Sequence, residues 1–141
     1  MTPEQIELVQ RAWGRVTALN NTYVQEVYTE LFRLSPDLIN LFPDPAGMPV
    51  TKVSETLNTV ITSLEQLDAL GFIIRDLGRR HRQFSVQSHQ FALLKQALTL
   101  VLARRLGEHF TPALSDAWSQ MYDEIAALML EGLGQHTPSV V

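Results

Sequence analysis

The sequence predicts an all-α fold of about six or seven helices, two of them short. Apolar residues recur at spacings of three and four along most of the chain, which is typical of helices with one buried face. No stretch alternates between apolar and polar residues as a half-buried strand does. A hydroxyl residue directly before a proline precedes three of the predicted helices, at Thr2, Ser35 and Thr111, and this pair is a helix start signal.

The first predicted helix begins at Pro3, with a capping box between Thr2 and Gln5, and it continues until Asn20-Asn21 interrupt it. The second covers about residues 22–34. In each helix the apolar residues recur at helical spacing, so one face of each helix is predicted to be buried. These faces carry Ile6, Val9, Trp13 and Val16 in the first helix, and Val24, Val27, Tyr28, Leu31 and Phe32 in the second.

Ser35-Pro36 opens a turn or so of helix, too short to be a core helix. The prolines and glycine between positions 43 and 49 exclude regular structure and predict a rigid loop. A longer helix follows from about Val50 to Leu67, and a helix around His81 comes next.

The last two predicted helices are bounded by recognisable signals. One starts at Gln87-Ser88 and ends near Gly107. The other starts with Thr111-Pro112 and stops at Gly132 and Gly134. We predict a single domain over residues 1–134, with residues 135–141 as a flexible tail.

Composition excludes several classes of function. A formal charge of -4 leaves no basic surplus for nucleic-acid phosphates. The absence of cysteine excludes disulfides, thiolate metal sites and thioether attachment of a cofactor. With neither a signal-peptide pattern nor an apolar run long enough for a bilayer, we expect a cytoplasmic protein without a membrane partner. No phosphate-binding glycine motif, GxSxG or HExxH sequence occurs, so nucleotide binding and hydrolysis are not indicated.

His81 is the most informative residue, because it closes an apolar helical face that includes Ile74 and Leu77. An imidazole turned to the interior with cations at its rim suits a buried planar metal cofactor with peripheral carboxylates. The alternative is a hydrogen-bonded core histidine without a ligand role. The cations nearby are Arg79, Arg80 and Arg82.

The order of the predicted helices and of the residues at fixed spacings along them resembles a globin. It is most similar to the single-domain bacterial globins related to the haem domain of flavohaemoglobins. The resemblance extends from Glu4 to about Leu133. It depends on the spacing of Tyr28, Phe32, Pro36 and Phe42, and on the stretches 76–81, 88–91 and 116–122.

This resemblance implies that His81 is the proximal iron ligand of haem b, with its second ring nitrogen donating to a backbone carbonyl or a side chain. It also implies reversible binding of dioxygen, carbon monoxide and nitric oxide. The other implied haem contacts are Phe42, Lys52, Val53, Leu57, Leu77, Arg80, Val86, Leu93 and Tyr122.

On the distal side, the resemblance places the Tyr28 hydroxyl over the iron, where it would stabilise bound dioxygen. The family's distal polar residue falls at Pro49, which cannot donate a hydrogen bond, and the apolar residue one turn later is Val53. Either Tyr28 is the only donor, or the register slips and one of three polar side chains reaches the pocket. Those side chains are Thr51, Lys52 and Thr56.

On the proximal side, Gln90 and Leu133 occupy positions where flavohaemoglobins have a tyrosine and a glutamate. This difference predicts a nearly neutral imidazole and favours reversible gas binding over peroxidase-like chemistry. A chain of 141 residues has no room for a fused reductase, so consumption of nitric oxide would need a separate one. Two alternatives stay open at this stage: a sensory or haem-free globin domain, and a helical bundle of unrelated function.

Overall fold

Six α-helices and three short 3-10 segments account for nearly all the residues that the computed structural model describes, namely 1–19, 22–41, 50–81 and 88–134. No strand occurs in these ranges, which confirms the all-α prediction. None of the helices described combines the length and apolar character needed to cross a bilayer. The helices are α1 (Pro3–Leu19), α2 (Tyr23–Leu34), α3 (Val50–Thr62), α4 (Leu67–Arg80), α5 (Ser88–Leu106) and α6 (Pro112–Leu133), and the 3-10 segments are Pro36–Leu41, Leu64–Gln66 and Gly107–His109.

The predicted helix signals at both ends of the chain are confirmed. The Gln5 amide donates to Thr2 Oγ1 at 3.1 Å and the Thr2 amide donates to Gln5 Oε1 at 2.9 Å, which completes the capping box. At the start of α6, the Leu114 amide donates to Thr111 Oγ1 at 3.2 Å. Gly134 ends α6 in the left-handed region, with φ of 78°.

Two predicted boundaries are wrong. The single helix expected from Val50 to Leu67 is divided, because Ser63 leaves helical geometry with φ of -114° and its amide bonds the Val60 carbonyl at 3.2 Å. Such an i to i-3 hydrogen bond tightens the turn and allows α4 to start in a new direction. Gly132 does not stop α6, which continues through it to Leu133.

The most extensive helix contacts join α4 to α6 and α2 to α5. Polar groups in the core satisfy each other between helices: the Tyr23 hydroxyl donates to the Leu98 carbonyl at 2.8 Å, and Trp13 Nε1 donates to Asn58 Oδ1 at 3.0 Å. These bonds fix α2 against α5 and α1 against α3. The largest side chains with less than 2 % exposure are Trp118, Ile61, Ile74, Leu102, Val9, Val16 and Val101.

A buried carboxylate links α2 to α5. Glu30 is 7 % exposed and accepts hydrogen bonds from Arg104 at 2.5 Å and from Arg33 at 2.8 Å. The hydrogen bond from Arg104, followed by that from Arg33, holds the pKa of Glu30 below its ordinary value. The charged form of Glu30 therefore stabilises the folded chain.

We expect Glu30→Gln to lower the free energy of unfolding at neutral pH, because it removes this charge and leaves Arg104 without its partner. Since the folded-state pKa is the lower one, the stabilisation is present above the unfolded-state pKa, ordinarily 4.5, and is lost as pH falls through the folded-state pKa. Urea unfolding from pH 7 down to acid should show the two proteins converging. The exposed Glu55→Gln is the control, and a stability difference that persists unchanged in acid would contradict the assignment.

Candidate functional site

His81 lies at the C-terminal end of α4, and its Nδ1 is 2.6 Å from the Leu77 carbonyl oxygen. Because a carbonyl can only accept, Nδ1 carries the proton and the lone pair of the neutral ring is on Nε2. This tautomer is the one that binds a metal through Nε2, and the backbone acceptor fixes the orientation of the ring. The ring could therefore bind a metal through Nε2.

The predicted helical face around His81 is confirmed. Ile74 is buried, Leu77 is half-buried, and His81 itself is half-buried one turn beyond Leu77. The imidazole thus continues an apolar face and is also partly exposed.

The position of α4 is fixed by a close crossing with α6. A Cβ atom added to Gly78 would overlap the Met129 carbonyl, and one added to Gly132 would overlap the Arg75 carbonyl, in both cases closer than 3.0 Å. Arg75 Nε also pairs with Glu131 Oε2 at 2.5 Å across the crossing. The two backbones touch directly, three residues before His81. Sequence reasoning missed this contact, although a glycine inside a helical pattern is a known signal of close packing.

The arginines at the end of α4 already have a partner. Arg79 Nη2 is 2.5 Å and Arg80 Nε is 3.2 Å from the carboxylate of Asp76. The hydrogen bond from Arg79 is the main reason that the pKa of Asp76 lies below its ordinary value. Arg80 is exposed, so a cofactor carboxylate at this rim would share it with Asp76. Arg82 lies outside the described residues.

Tyr28 is half-buried on α2, and its ring stacks on Phe32 with centroids 6.0 Å apart. Burial raises the pKa of the Tyr28 phenol above its ordinary value. The hydroxyl therefore keeps its proton at neutral pH, since even its ordinary pKa of 10.0 lies well above 7.

The remaining predicted contacts fall into three groups. Val53, Leu57 and Leu93 are half-buried and pack against the core, whereas Lys52 is exposed. Tyr122 is buried, and its hydroxyl donates to the Phe91 carbonyl at 2.5 Å, so only its ring could contact a cofactor. Phe42, Pro49 and Val86 lie outside the described residues, and their predicted roles stay predictions.

The residues present fit an iron porphyrin. One imidazole offers Nε2 as a ligand, and large apolar side chains from α3, α4 and α5 stay half-buried although they border the core. Such surfaces match the apolar faces of a macrocycle, and the exposed cations Lys52 and Arg80 match its carboxylates.

Comparison with known proteins agrees with this geometry. The globin family profile matches residues 25–129. Neuroglobin from Danio rerio is 31% identical over 139 residues, covering 89% of this chain and 87% of that protein. Neuroglobin from Tetraodon nigroviridis is 29% identical over 140 residues (89% and 88%), and neuroglobin-1 from Oncorhynchus mykiss is 27% identical over 146 residues (94% and 92%).

The family match and these relatives confirm that the chain is a globin, but they do not confirm that it is of the bacterial type. The three named proteins are vertebrate neuroglobins, so the closer resemblance to bacterial globins and flavohaemoglobin domains stays a prediction. Globins as a family hold haem iron and bind gaseous ligands such as dioxygen.

Proposed function

The chain belongs to the globin family, and from this premise we propose that it holds one haem b and reversibly binds dioxygen, carbon monoxide and nitric oxide. The observation that carries this proposal is the geometry of His81. Its Nδ1 proton is directed to the Leu77 carbonyl at 2.6 Å, which makes Nε2 the ligating nitrogen.

When bound, the haem supplies the iron at which a diatomic gas coordinates reversibly. His81 would hold that iron through Nε2, and Val53, Leu57, Leu77 and Leu93 would supply apolar surface that keeps water away from the cofactor. A neutral backbone carbonyl, rather than a carboxylate, accepts the proton of His81. Since a carboxylate acceptor would increase electron donation from the ring, this arrangement favours reversible binding over peroxidase-like chemistry.

Lys52 and Arg80 supply positive charge for the cofactor's carboxylates at the rim. Both side chains are exposed, and Arg80 keeps Asp76 as a neighbour at 3.2 Å. Ion pairs at such exposed positions contribute about 0–1 kcal/mol each. Orientation of the cofactor therefore depends mainly on His81 and the apolar contacts.

On the distal side, we assign Tyr28 as the hydrogen-bond donor to the bound gas. Its phenol is protonated at neutral pH, because burial raises its pKa, and the stacked Phe32 ring restricts where it can point. A donor at this position favours dioxygen, which carries partial negative charge when bound, over the less polar carbon monoxide.

We expect Tyr28→Phe to accelerate dioxygen release by roughly tenfold to a hundredfold, the equivalent of losing about 1.5–3 kcal/mol of hydrogen bonding to a charged acceptor. Carbon monoxide release should change much less. Stopped-flow displacement of each gas from the haem-loaded protein measures both rates. Tyr122→Phe is the matched control, because that hydroxyl donates to the Phe91 carbonyl within the protein. An unchanged dioxygen off-rate in Tyr28→Phe would contradict the distal assignment.

The central experiment supplies haemin to the purified chain and records absorption spectra of the ferric, ferrous and carbon monoxide forms. A Soret band at one haem per chain, with a pyridine haemochrome of the b type, supports the proposal. Absence of stoichiometric haem in a folded helical protein refutes it.

We further propose a cytoplasmic role in which nitric oxide and dioxygen combine at the same site to give nitrate, and a separate reductase protein supplies the one electron that this conversion requires. The basis is the Leu77 carbonyl, which accepts the proton of His81 without adding charge, and the Tyr28 phenol on the distal side. Both groups suit an iron site that binds and releases gases. Anaerobic and aerobic nitric oxide decay with the haem-loaded protein and a general reductant would test it. No acceleration of decay under aerobic conditions would exclude this role and leave the gas-binding proposal intact.

A further inference from the structure

Two adjacent large apolar side chains are exposed in the middle of α4. Phe72 is 70% and Ile73 is 48% exposed, the two highest values for large apolar residues among the described ranges. Single exposed apolar residues are common on protein surfaces, but a phenylalanine and an isoleucine side by side on one helix form a patch.

Phe72, the more exposed of the two side chains, does not belong to the proposed haem site. Phe72 is nine residues before His81, and at 3.6 residues per turn this places it on the opposite face of α4. A cofactor held by His81 therefore cannot cover Phe72. The patch also faces away from α6, since Gly78 and Gly132 bring that helix against another side of α4.

Charges of opposite sign flank the patch. Asp68 in the first turn of α4 and Glu65 in the 3-10 segment just before it are exposed on the N-terminal side, and Arg79 and Arg80 are exposed at the C-terminal end of α4. Asp76 neutralises only one of these two guanidinium charges, so the basic end keeps a positive excess. We call this surface the α4 stripe; its members are Glu65, Asp68, Phe72, Ile73, Arg79 and Arg80.

We propose that the α4 stripe is a homodimer interface, in which α4 of one copy packs antiparallel against α4 of a second copy. A surface that is acidic at one end and basic at the other is complementary to itself only when turned end for end, which is the arrangement that a two-fold axis produces. With the axis between Phe72 and Ile73, these two side chains meet their counterparts from the second copy. The acidic end of each copy then faces the basic end of the other.

The interface is small. A helix of 14 residues is about 21 Å long, so a single helix pair buries less than roughly 1,200 Å², the lower end of specific interfaces. The dimer is therefore weak and concentration-dependent. Phe72, its most exposed side chain, lies on the opposite face of α4 from His81, so this contact does not use the face that carries the imidazole.

Sedimentation velocity from about 10 µM to about 1 mM, the range of weak complexes, tests the proposal first. The wild-type chain should shift from monomer to dimer, and Phe72→Glu should stay monomeric throughout. Leu100→Glu, at a residue that is 37% exposed on α5, is the matched control and should dimerise like the wild type. A wild-type chain that is monomeric at the highest concentration, or a dimer that survives Phe72→Glu, overturns the proposal.

Charge reversal tests separately whether opposite charges at the two ends of the α4 stripe pair across the interface. Glu65→Lys with Asp68→Lys makes both ends basic, and Arg79→Glu with Arg80→Glu makes both ends acidic. Each double variant alone should be monomeric, whereas an equal mixture of the two should form a heterodimer, because both pairs of ends are then complementary. If the mixture stays monomeric while circular dichroism shows both proteins folded, the arrangement is wrong.

The absence of natural cysteine permits a test that keeps Phe72 and every charge in place. Ile73→Cys lies next to the proposed axis and should form an intermolecular disulfide when a mild oxidant takes up the two thiol hydrogens. Its initial rate per chain should reach half of the maximum at a concentration near the dissociation constant. Leu100→Cys should cross-link at least tenfold more slowly at the same concentration. Equal rates for the two variants would overturn the proposal.

Discussion

Replacement of His81 by glycine is expected to reduce haem affinity by about 10–100-fold or more and to abolish the ferrous spectrum of an imidazole-ligated haem. The variant loses the imidazole that we propose as the iron ligand, together with its Nδ1 hydrogen bond to Leu77. Haem titration followed by absorption spectroscopy measures both effects. Added imidazole at millimolar concentration should restore the spectrum, since it fills the cavity left by the side chain.

The matched control is His89→Gly. His89 is exposed near the start of α5 and should tolerate the change without loss of haem. If His81→Gly keeps normal affinity and its spectrum, the proximal assignment is wrong. If His89→Gly is the variant that loses haem, the iron ligand lies on α5 instead.

Gly132→Ala is expected to destabilise the protein by about 3 kcal/mol or more, because overpacking at a rigid contact cannot relax by moving a flexible side chain. The added Cβ would collide with the Arg75 carbonyl, which is backbone, so α4 and α6 would have to separate. Urea unfolding monitored by circular dichroism measures the loss. The same separation moves His81 relative to α6, and the spectrum of any haem-loaded fraction should broaden.

Gly14→Ala gives the opposite result and serves as the control. Gly14 is exposed inside α1, and a Cβ there meets nothing within 4 Å. Replacing a helical glycine at such a position should stabilise the chain by about 0.5–1 kcal/mol. If both substitutions have the same sign, the close α4–α6 crossing is not the reason for the presence of Gly132.

Local signals in the sequence were sufficient for most helix positions. Thr2 and Thr111 cap their helices as predicted, because capping depends on residues within one turn. The break at Ser63 was missed since the apolar spacing continues through it, from Ile61 to Leu64, and periodicity alone cannot distinguish a continuous helix from two helices joined by a 3-10 turn.

The candidate site was predictable where it depends on one helix and unpredictable where it depends on two. The face of His81 and its backbone acceptor four residues earlier follow from helical geometry. The contact of Gly78 with α6 and the exposure of Phe72 depend on which neighbours reach α4, and a helical pattern does not contain that information. The predictions for Phe42, Pro49 and Val86 fall outside the described residues and stay untested.

The glycine crossing has a mechanical consequence. Side chains between two helices usually act as a compliant layer that absorbs small displacements, but here carbonyl groups meet glycine backbone with no such layer. A displacement of the C-terminal end of α4, where His81 lies, must therefore displace the last turn of α6 as well. A fluorescent or spin label placed at Gly134, just beyond that turn, should therefore detect a displacement of α4 that accompanies gas binding.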